Sequence, residues 1–324
     1  MQAMVQHHYG TQAELVLQLE VLATPAIGDD EVLVHVAAAS VDMGTWHCMT
    51  GMPYAMRLMG FGVRSPKASN PGRAFAGTVE SVGSGVTEFK PGDEVYGTCD
   101  GSFAEYARVE TSKLAAKPAN LSFEQAAAVP ISGGTALQAV RKANVQPGQK
   151  VLIVGASGGV GTFAVQIAKA FGAEVTGVSS TAKVDLVRAL GADHVIDYTA
   201  DDFTASELRY DVILDIGGSR RLSQLRRALT PRGTLVIIGG EAGGRWLGGF
   251  DRSLRAVLLS LFVRQRLGML ASKENAKDLN VLRDLIETVQ VTPSVDRTYR
   301  LRETADAIRY VSERRARGKV VITV

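Results

Sequence analysis

The sequence predicts an α/β protein of two domains, one β-rich and one built on a doubly wound parallel sheet. Three observations predict it. At 324 residues the chain is long for a single hydrophobic core. Up to about Leu121 it consists of short strand-like segments broken by glycine and proline turns. Beyond that point strand-like runs alternate with helical ones, the pattern of a parallel sheet covered by helices.

Each element follows from its own pattern. "EVLVHVAAASV" sets Val32, Val34 and Val36 against Leu33 and His35, which predicts a strand buried mainly on one face. "GTVESVGSGV", "KPGDEVYGT" and "GSFAEYARV" predict further short strands and a compact barrel-like β domain. In the second half, strands are expected at 150–154, 174–178, 194–197, 211–215 and 234–238. Between the first two, "VGTFAVQIAKAF" places Val160, Phe163, Ala164, Ile167, Ala168 and Phe171 on one helical stripe. "KENAKDLNVLRDLIETV" and "ETADAIRYVSERRAR" predict two more helices, followed by Gly318 and the strand "KVVITV". A lone terminal strand needs a partner, so it is expected to rejoin the first sheet. The β-rich domain would then be discontinuous, residues 1–122 with 271–324, around a domain at 123–270.

Composition narrows the function classes. A net charge of +3 with a pI of 8.8 is too mild to argue for nucleic acid. Arginine is dense at 252–266 and 297–319, which reads as two solvated faces. Two cysteines, Cys48 and Cys99, frame neither a disulfide scaffold nor a four-cysteine zinc lobe. "MQAMVQHHYG" lacks the charged start and apolar core of a secretory signal. The longest apolar run, 256–263, is too short to span a bilayer, so the cytoplasm is the expected location.

The chemistry begins at "KVLIVGASGGVGTFAVQIAKAFGAEVTGVSS", which reads strand, glycine turn, helix, strand. Its turn, Ala156-Ser157-Gly158-Gly159-Val160-Gly161, is a G-x-G-x-x-G fingerprint with alanine in first place. Gly158 permits close approach of a pyrophosphate, and Gly161 lets the helix pack tightly on the strand. The N–H groups and positive end of the helix then face the phosphates. NAD sites carry a carboxylate at the end of the second strand. Here "GVSSTAKVD" offers Ser179, Ser180, Thr181 and Lys183, which suit the 2′-phosphate of NADPH, with NADH as the alternative. The alternative for Lys183 is an exposed residue in a helix's first turn.

In combination, "PGRAFAGTVESVGSGVTEFKPGDEVYG", "GSFAEYARV", "LSFEQAAAVPISGGTALQAV", the glycine turn, "YDVILDIGG", "LTPRGTLVIIGG" and "GKVVITV" carry a resemblance. The chain resembles the zinc-independent branch of the medium-chain dehydrogenase/reductases, the quinone oxidoreductase-like proteins. The resemblance implies a GroES-like β domain, a Rossmann domain and a cleft between them where nicotinamide meets substrate. It implies that Ser157, Gly158, Gly159, Val160 and Gly161 bind pyrophosphate, with Ser180 and Lys183 at the 2′-phosphate and Tyr198 at the adenosine half. Thr135, Gly217, Gly239 and Gly240 fall among the cofactor-binding positions, Thr135 and the 239–240 loop near the nicotinamide. It also implies a homodimer joined through the Rossmann sheet edge, with "VRQRLGML" as the expected edge. Three positions depart from close relatives: Ala182 stands for arginine, Asp42 for asparagine and Ala74 for aspartate.

The zinc-dependent branch needs a Cys, a His and a third Cys or Asp around one ion. The corresponding positions here are Val41-Asp42, Gly72-Arg73-Ala74 and Ile131-Ser132, so no metal is expected. Without a Lewis acid, direct alcohol oxidation is hard, whereas hydride transfer to the β-carbon of an enone, or to a quinone, needs only hydrogen-bond donors at the developing oxyanion. The expected substrate is an apolar carbonyl or quinone. Trp46, Tyr54 and Asp42 are the pocket candidates, although Trp46 and Tyr54 also fit as packing residues of a loop. Met52, Met56 and Met59 suit an adaptable apolar pocket. His47 is more simply a satisfied histidine than a general acid. The segment from Glu241 to Leu267 is expected to close over the site. Its mixed basic and apolar stretch at 245–266 suggests peripheral membrane contact, but a helix buried beneath a loop explains it as well. Rival functions are a zinc-type alcohol dehydrogenase and a low-turnover NADPH-binding sensor.

Overall fold

The computed structural model describes residues 1–240 and 243–324, so the start of the 241–267 segment lies outside the described residues. Two compact units emerge: residues 1–134, 274–289 and 293–324, and residues 135–273 with 290–292. The division falls within the helix Pro130–Ala143, later in the chain than residue 122.

The first unit is organised by one long strand, Glu31–Val41. It pairs antiparallel with Ala74–Val82, Tyr106–Glu110 and Lys319–Thr323. Val32, Val34 and Val36 enter a core with Phe75, Val79, Val95, Val109 and Leu114. The register shifts between Val36 and Ala38, and from there Ala38 to Val41 are all buried. Ala39 and Val41 thereby join a second core with Met49, Phe103, Ile308, Val320 and Ile322. A bulge is how one strand serves two cores. The strand Lys319–Thr323 is itself flanked by Val295–Arg300 in parallel, so it is interior to the sheet. The preceding helix is shorter than its sequence suggests: it spans Thr304–Ser312, and Arg314 at φ 59° turns the chain out of it.

The second unit is a six-stranded sheet, parallel throughout. Its order is His194–Asp197, Glu174–Ser179, Lys150–Val154, Tyr210–Asp215, Leu229–Ile237 and Arg266–Met269. The doubly wound order changes direction between Lys150–Val154 and Tyr210–Asp215, the switch point where such sheets open a crevice at their carboxyl ends. Leu229–Ile237 begins earlier than expected, but beyond Leu229 only Thr234 to Ile237 pair with Tyr210–Asp215, after a register shift between Tyr210 and Val212. The helix Phe250–Ser260 buries only Ser253 and Ala256 and leaves Leu254, Val257 and Leu258 exposed, so it is not a buried helix.

Candidate functional site

At the switch point the strand Lys150–Val154 runs into Gly155, held at φ +88°, and the helix Gly159–Ala170 begins with Gly158 as its N-cap. No side chain caps this helix, so its first N–H groups face outward for an anion. A Cβ on Gly161 would lie 2.1 Å from the Gly155 carbonyl oxygen, and one on Gly239 would lie 1.9 Å from that of Ile216. Gly217 donates its N–H to Val154 O at 3.0 Å. Glycines thus floor the ends of three adjacent strands, and backbone approaches there that no side chain permits. This cradle fits a dinucleotide pyrophosphate.

The two glycines of the turn separate in their consequences. Alanine at Gly158 meets only Gly155 O at 3.5 Å, an ordinary contact, in a backbone conformation of φ −85°. Gly158→Ala is therefore expected to melt like the wild type while raising the Kd for NADPH at least about tenfold, a loss of about 1.4 kcal/mol. Gly161→Ala must push helix from strand and is expected to cost about 1–3 kcal/mol of stability. Thermal melts beside fluorescence titrations of NADPH separate the two.

At the end of the next strand, Ser180 precedes a turn of Thr181–Lys183, and the half-exposed Tyr198 donates its N–H to Ser179 O. The sequence reading missed Asp197. Its carboxylate accepts from Thr181 Oγ1 at 2.5 Å, and bonds from Thr181 and Thr199 hold it below the usual carboxylate range. A carboxylate therefore stands beside the hydroxyl cluster expected to meet the 2′-phosphate. The signal was the "IDYT" run on the adjacent strand, legible only once that strand was placed parallel and next door.

Next to the glycine floor, Asp215 is completely buried at the end of Tyr210–Asp215. It pairs with Arg252 and accepts from the Gly218 N–H at 3.2 Å. Burial pushes its carboxyl above the usual range, against the pull of Arg252. The Nε and Nη1 of Arg252 are buried without hydrogen-bond partners.

The pocket candidates of the first unit lie along the helix Met43–Thr50 and its exit. Asp42 is the N-cap, accepting from the Thr45 N–H at 3.1 Å. Its other oxygen lies 3.8 Å from Nζ of Lys319, a lysine only 1% exposed that also donates to Val41 O at 3.3 Å. Burial pulls Lys319 below the usual lysine range while Asp42 opposes the shift. Trp46 packs against the second core, beside Met49. Tyr54 sits under the guanidinium of Arg57, whose Cζ lies 4.8 Å from the ring centroid. His47 Nδ1 is bound at 2.6 Å to Met52 O.

Arg73 resolves into an ion pair. Its Nη2 donates to Glu274 Oε2 at 2.7 Å, and its Nε is buried without a partner. Burial works against the guanidinium, but Glu274, with Cys48, Asp100 and Asp42 behind it, holds its pKa above the usual value. Burial pushes the Cys48 thiol up to about 11, so it is protonated at neutral pH. Ser40, Ala74 and Thr98 stand side by side on three strands, and the Ser40 and Thr98 hydroxyls are buried without partners. Among the described residues, no group of three or more His, Cys, Asp or Glu side chains is arranged to hold a metal ion.

Comparison with known proteins gives a consistent picture. Residues 28–119 match the alcohol dehydrogenase GroES-like domain, and residues 190–322 match a family described as zinc-binding dehydrogenase. The chain is 34% identical to 2-methylene-furan-3-one reductase of Solanum lycopersicum, over 97% of this chain and 76% of that one. It is 33% identical to a chloroplastic NADPH-dependent alkenal/one oxidoreductase of Arabidopsis thaliana, over 99% of this chain and 79% of the other. The quinone oxidoreductase of Coxiella burnetii superposes with a TM-score of 0.87 at 28% identity, covering 100% of this chain and 99% of that one.

Proposed function

We infer that this chain, which belongs to the medium-chain dehydrogenase/reductase superfamily among its quinone and enone oxidoreductases, is an NADPH-dependent reductase of quinones or α,β-unsaturated carbonyls that works without a metal. The observation that carries the reading is the glycine floor at the switch point of the second unit, in a chain whose relatives are named for NADPH-dependent reduction. A bound reduced nicotinamide supplies the hydride. Gly158 and Gly161 admit and seat the pyrophosphate, while Ser180 and Lys183 meet the 2′-phosphate.

The polar groups of the first unit support reduction without a metal ion. Arg73, locked to Glu274, puts a fixed guanidinium where the metal-using branch has a histidine, and the neighbouring Cys48 stays a thiol. A guanidinium there offers hydrogen-bond donors to an oxyanion and no lone pair to a metal. Asp42 orients through its helix cap, and Tyr54 offers a phenolic hydrogen bond. Trp46 holds the Met43–Thr50 helix on the core. In this reading the enzyme acts in the cytoplasm, with both cysteines free, as a homodimer seamed along the edge strand Arg266–Met269.

The test is a steady-state screen with NADPH and NADH in parallel across quinones, enones and aldehydes, with metal analysis of the same preparation. Turnover of quinones or enones with NADPH is expected, with no stoichiometric zinc. Lys183→Ala is expected to raise KM for NADPH about tenfold, the loss of one charge-assisted contact, and to leave KM for NADH nearly unchanged. Zinc at one per chain with alcohol oxidation, or tight NADPH binding without turnover of any substrate, overturns the reading.

A further inference from the structure

The residues expected to meet the adenosine end of the cofactor all lie within the second unit. There the strands Glu174–Ser179 and His194–Asp197 run parallel and end together, with Asp197 opposite Ser179. Beyond them the chain turns back on its own end. The Tyr198 N–H donates to Ser179 O at 3.0 Å, and the Asp201 N–H to Asp197 O at 2.8 Å. One carboxylate gathers the side chains of this corner. Asp197 Oδ2 accepts from Thr181 Oγ1 at 2.5 Å. Its Oδ1 accepts from the Thr199 hydroxyl at 2.7 Å and from the Thr199 N–H at 2.9 Å.

These bonds decide what the corner can offer a ribose. A hydroxyl has a single hydrogen to donate. Those of Thr181 and Thr199 are committed to Asp197, so neither threonine has one left for a phosphate oxygen. An ionised carboxylate accepts about four hydrogen bonds, two on each oxygen. Both places on Oδ1 are taken, and one on Oδ2 is open. Asp197 is only partly buried, so the open place is within reach of a ligand. What fits it is a donor. A ribose 2′-hydroxyl brings one, whereas a 2′-phosphate brings acceptors and more negative charge.

In NAD sites a carboxylate at the end of the second strand accepts the ribose 2′-hydroxyl. Here that strand ends in Ser179 and Ser180, and the carboxylate comes from the strand beside it. We propose that Asp197 is a specificity-determining residue: its Oδ2 accepts the 2′-hydroxyl of NADH, and its charge opposes the 2′-phosphate of NADPH. The assignment rests on the reading of the glycine floor as a dinucleotide site. The chain then takes both cofactors. Ser180 and Lys183 attract the 2′-phosphate, Asp197 offsets part of that attraction, and NADH gains a hydrogen bond that NADPH lacks.

The test measures Kd for NADPH and for NADH on the full chain by nicotinamide fluorescence, in the wild type, Asp197→Asn and Asp197→Ser. Asparagine keeps the shape of the side chain and one acceptor oxygen, and serine keeps only a small polar group. The wild type is expected to bind both cofactors. Both substitutions are expected to lower the Kd for NADPH about fivefold, the repulsion of two unit charges in contact in water. They are expected to raise the Kd for NADH by about the same factor, the loss of one exposed charge-assisted hydrogen bond. Thermal melts confirm that the variants fold. The opposite signs are diagnostic, because a residue that only held the 180–183 turn would weaken both cofactors together. Joint weakening overturns the proposal. So do constants that neither variant moves, and a wild type that binds NADPH but not NADH. A wild type that binds neither overturns the dinucleotide reading itself, and the assignment of Asp197 with it.

Discussion

Arg252→Leu is expected to lower the stability of the second unit by about 3–5 kcal/mol, the range for removing one partner of a buried ion pair. Asp215 is fully enclosed, and without the guanidinium only the Gly218 N–H remains to hold its charge. The aliphatic part of leucine replaces most of the lost packing, so the deficit is electrostatic. Its pH dependence has a definite sign. A carboxyl whose folded pKa lies above the unfolded value of about 3.9 binds more protons when folded, so the penalty is present above the folded pKa and vanishes below the unfolded one. The variant is therefore expected to converge on the wild type as pH falls towards that value. Adding Asp215→Asn to Arg252→Leu removes the buried charge and is expected to restore most of the loss at neutral pH. Urea melts across pH check both statements, and a deficit unchanged by Asp215→Asn contradicts them.

The second large effect lies at Asp42. Asparagine caps a helix as well as aspartate does, so Asp42→Asn removes charge and keeps the cap. Lys319 is then buried with only the Val41 carbonyl for company. Because Asp42 is 18% exposed and 3.8 Å away, the cost is expected at about 2–3 kcal/mol, below that of an enclosed pair. Lys319→Met in the same background should recover most of it. In the wild type the folded pKa of Lys319 is depressed, so the unfolded state binds more protons between that value and about 10.4. Stability from this group accordingly rises with pH through that window, and Lys319→Met flattens the rise. Melting temperatures from neutral to alkaline pH measure it.

The fold class was readable because its signals are local. Val32, Val34 and Val36 state their own face, and the glycine turn lies between a strand and a helix that are contiguous with it. The ion pairs were not readable. Arg73 meets a residue 201 positions away, and Lys319 looked like the ordinary first residue of an apolar strand. Its one signal was a lone charge opening "KVVITV" with no polar face to follow. Trp46 was weighed both as a stacking platform and as a packing residue, and its partly buried ring packs against the core, a choice that a loop aromatic does not reveal in sequence. The Phe250–Ser260 helix failed for a related reason. Two apolar stripes, Ala256/Leu259/Val263 and Leu254/Leu258/Leu261, share its period, and periodicity alone cannot say which one points outward.

The pairing of Lys319–Thr323 with Glu31–Val41 also dictates the order of assembly during synthesis. A long strand early in the chain waits for a neighbour that is synthesised only after the whole parallel sheet. Until then the edge of Glu31–Val41 along Ala38 to Val41 is open, and Val41, Met49 and Phe103 lack Val320 and Ile322. The parallel sheet between 150 and 269 has emerged complete by that time and can close first. The β-rich unit is thus the late-folding half, and its nascent edge is where a chaperone has something to shield.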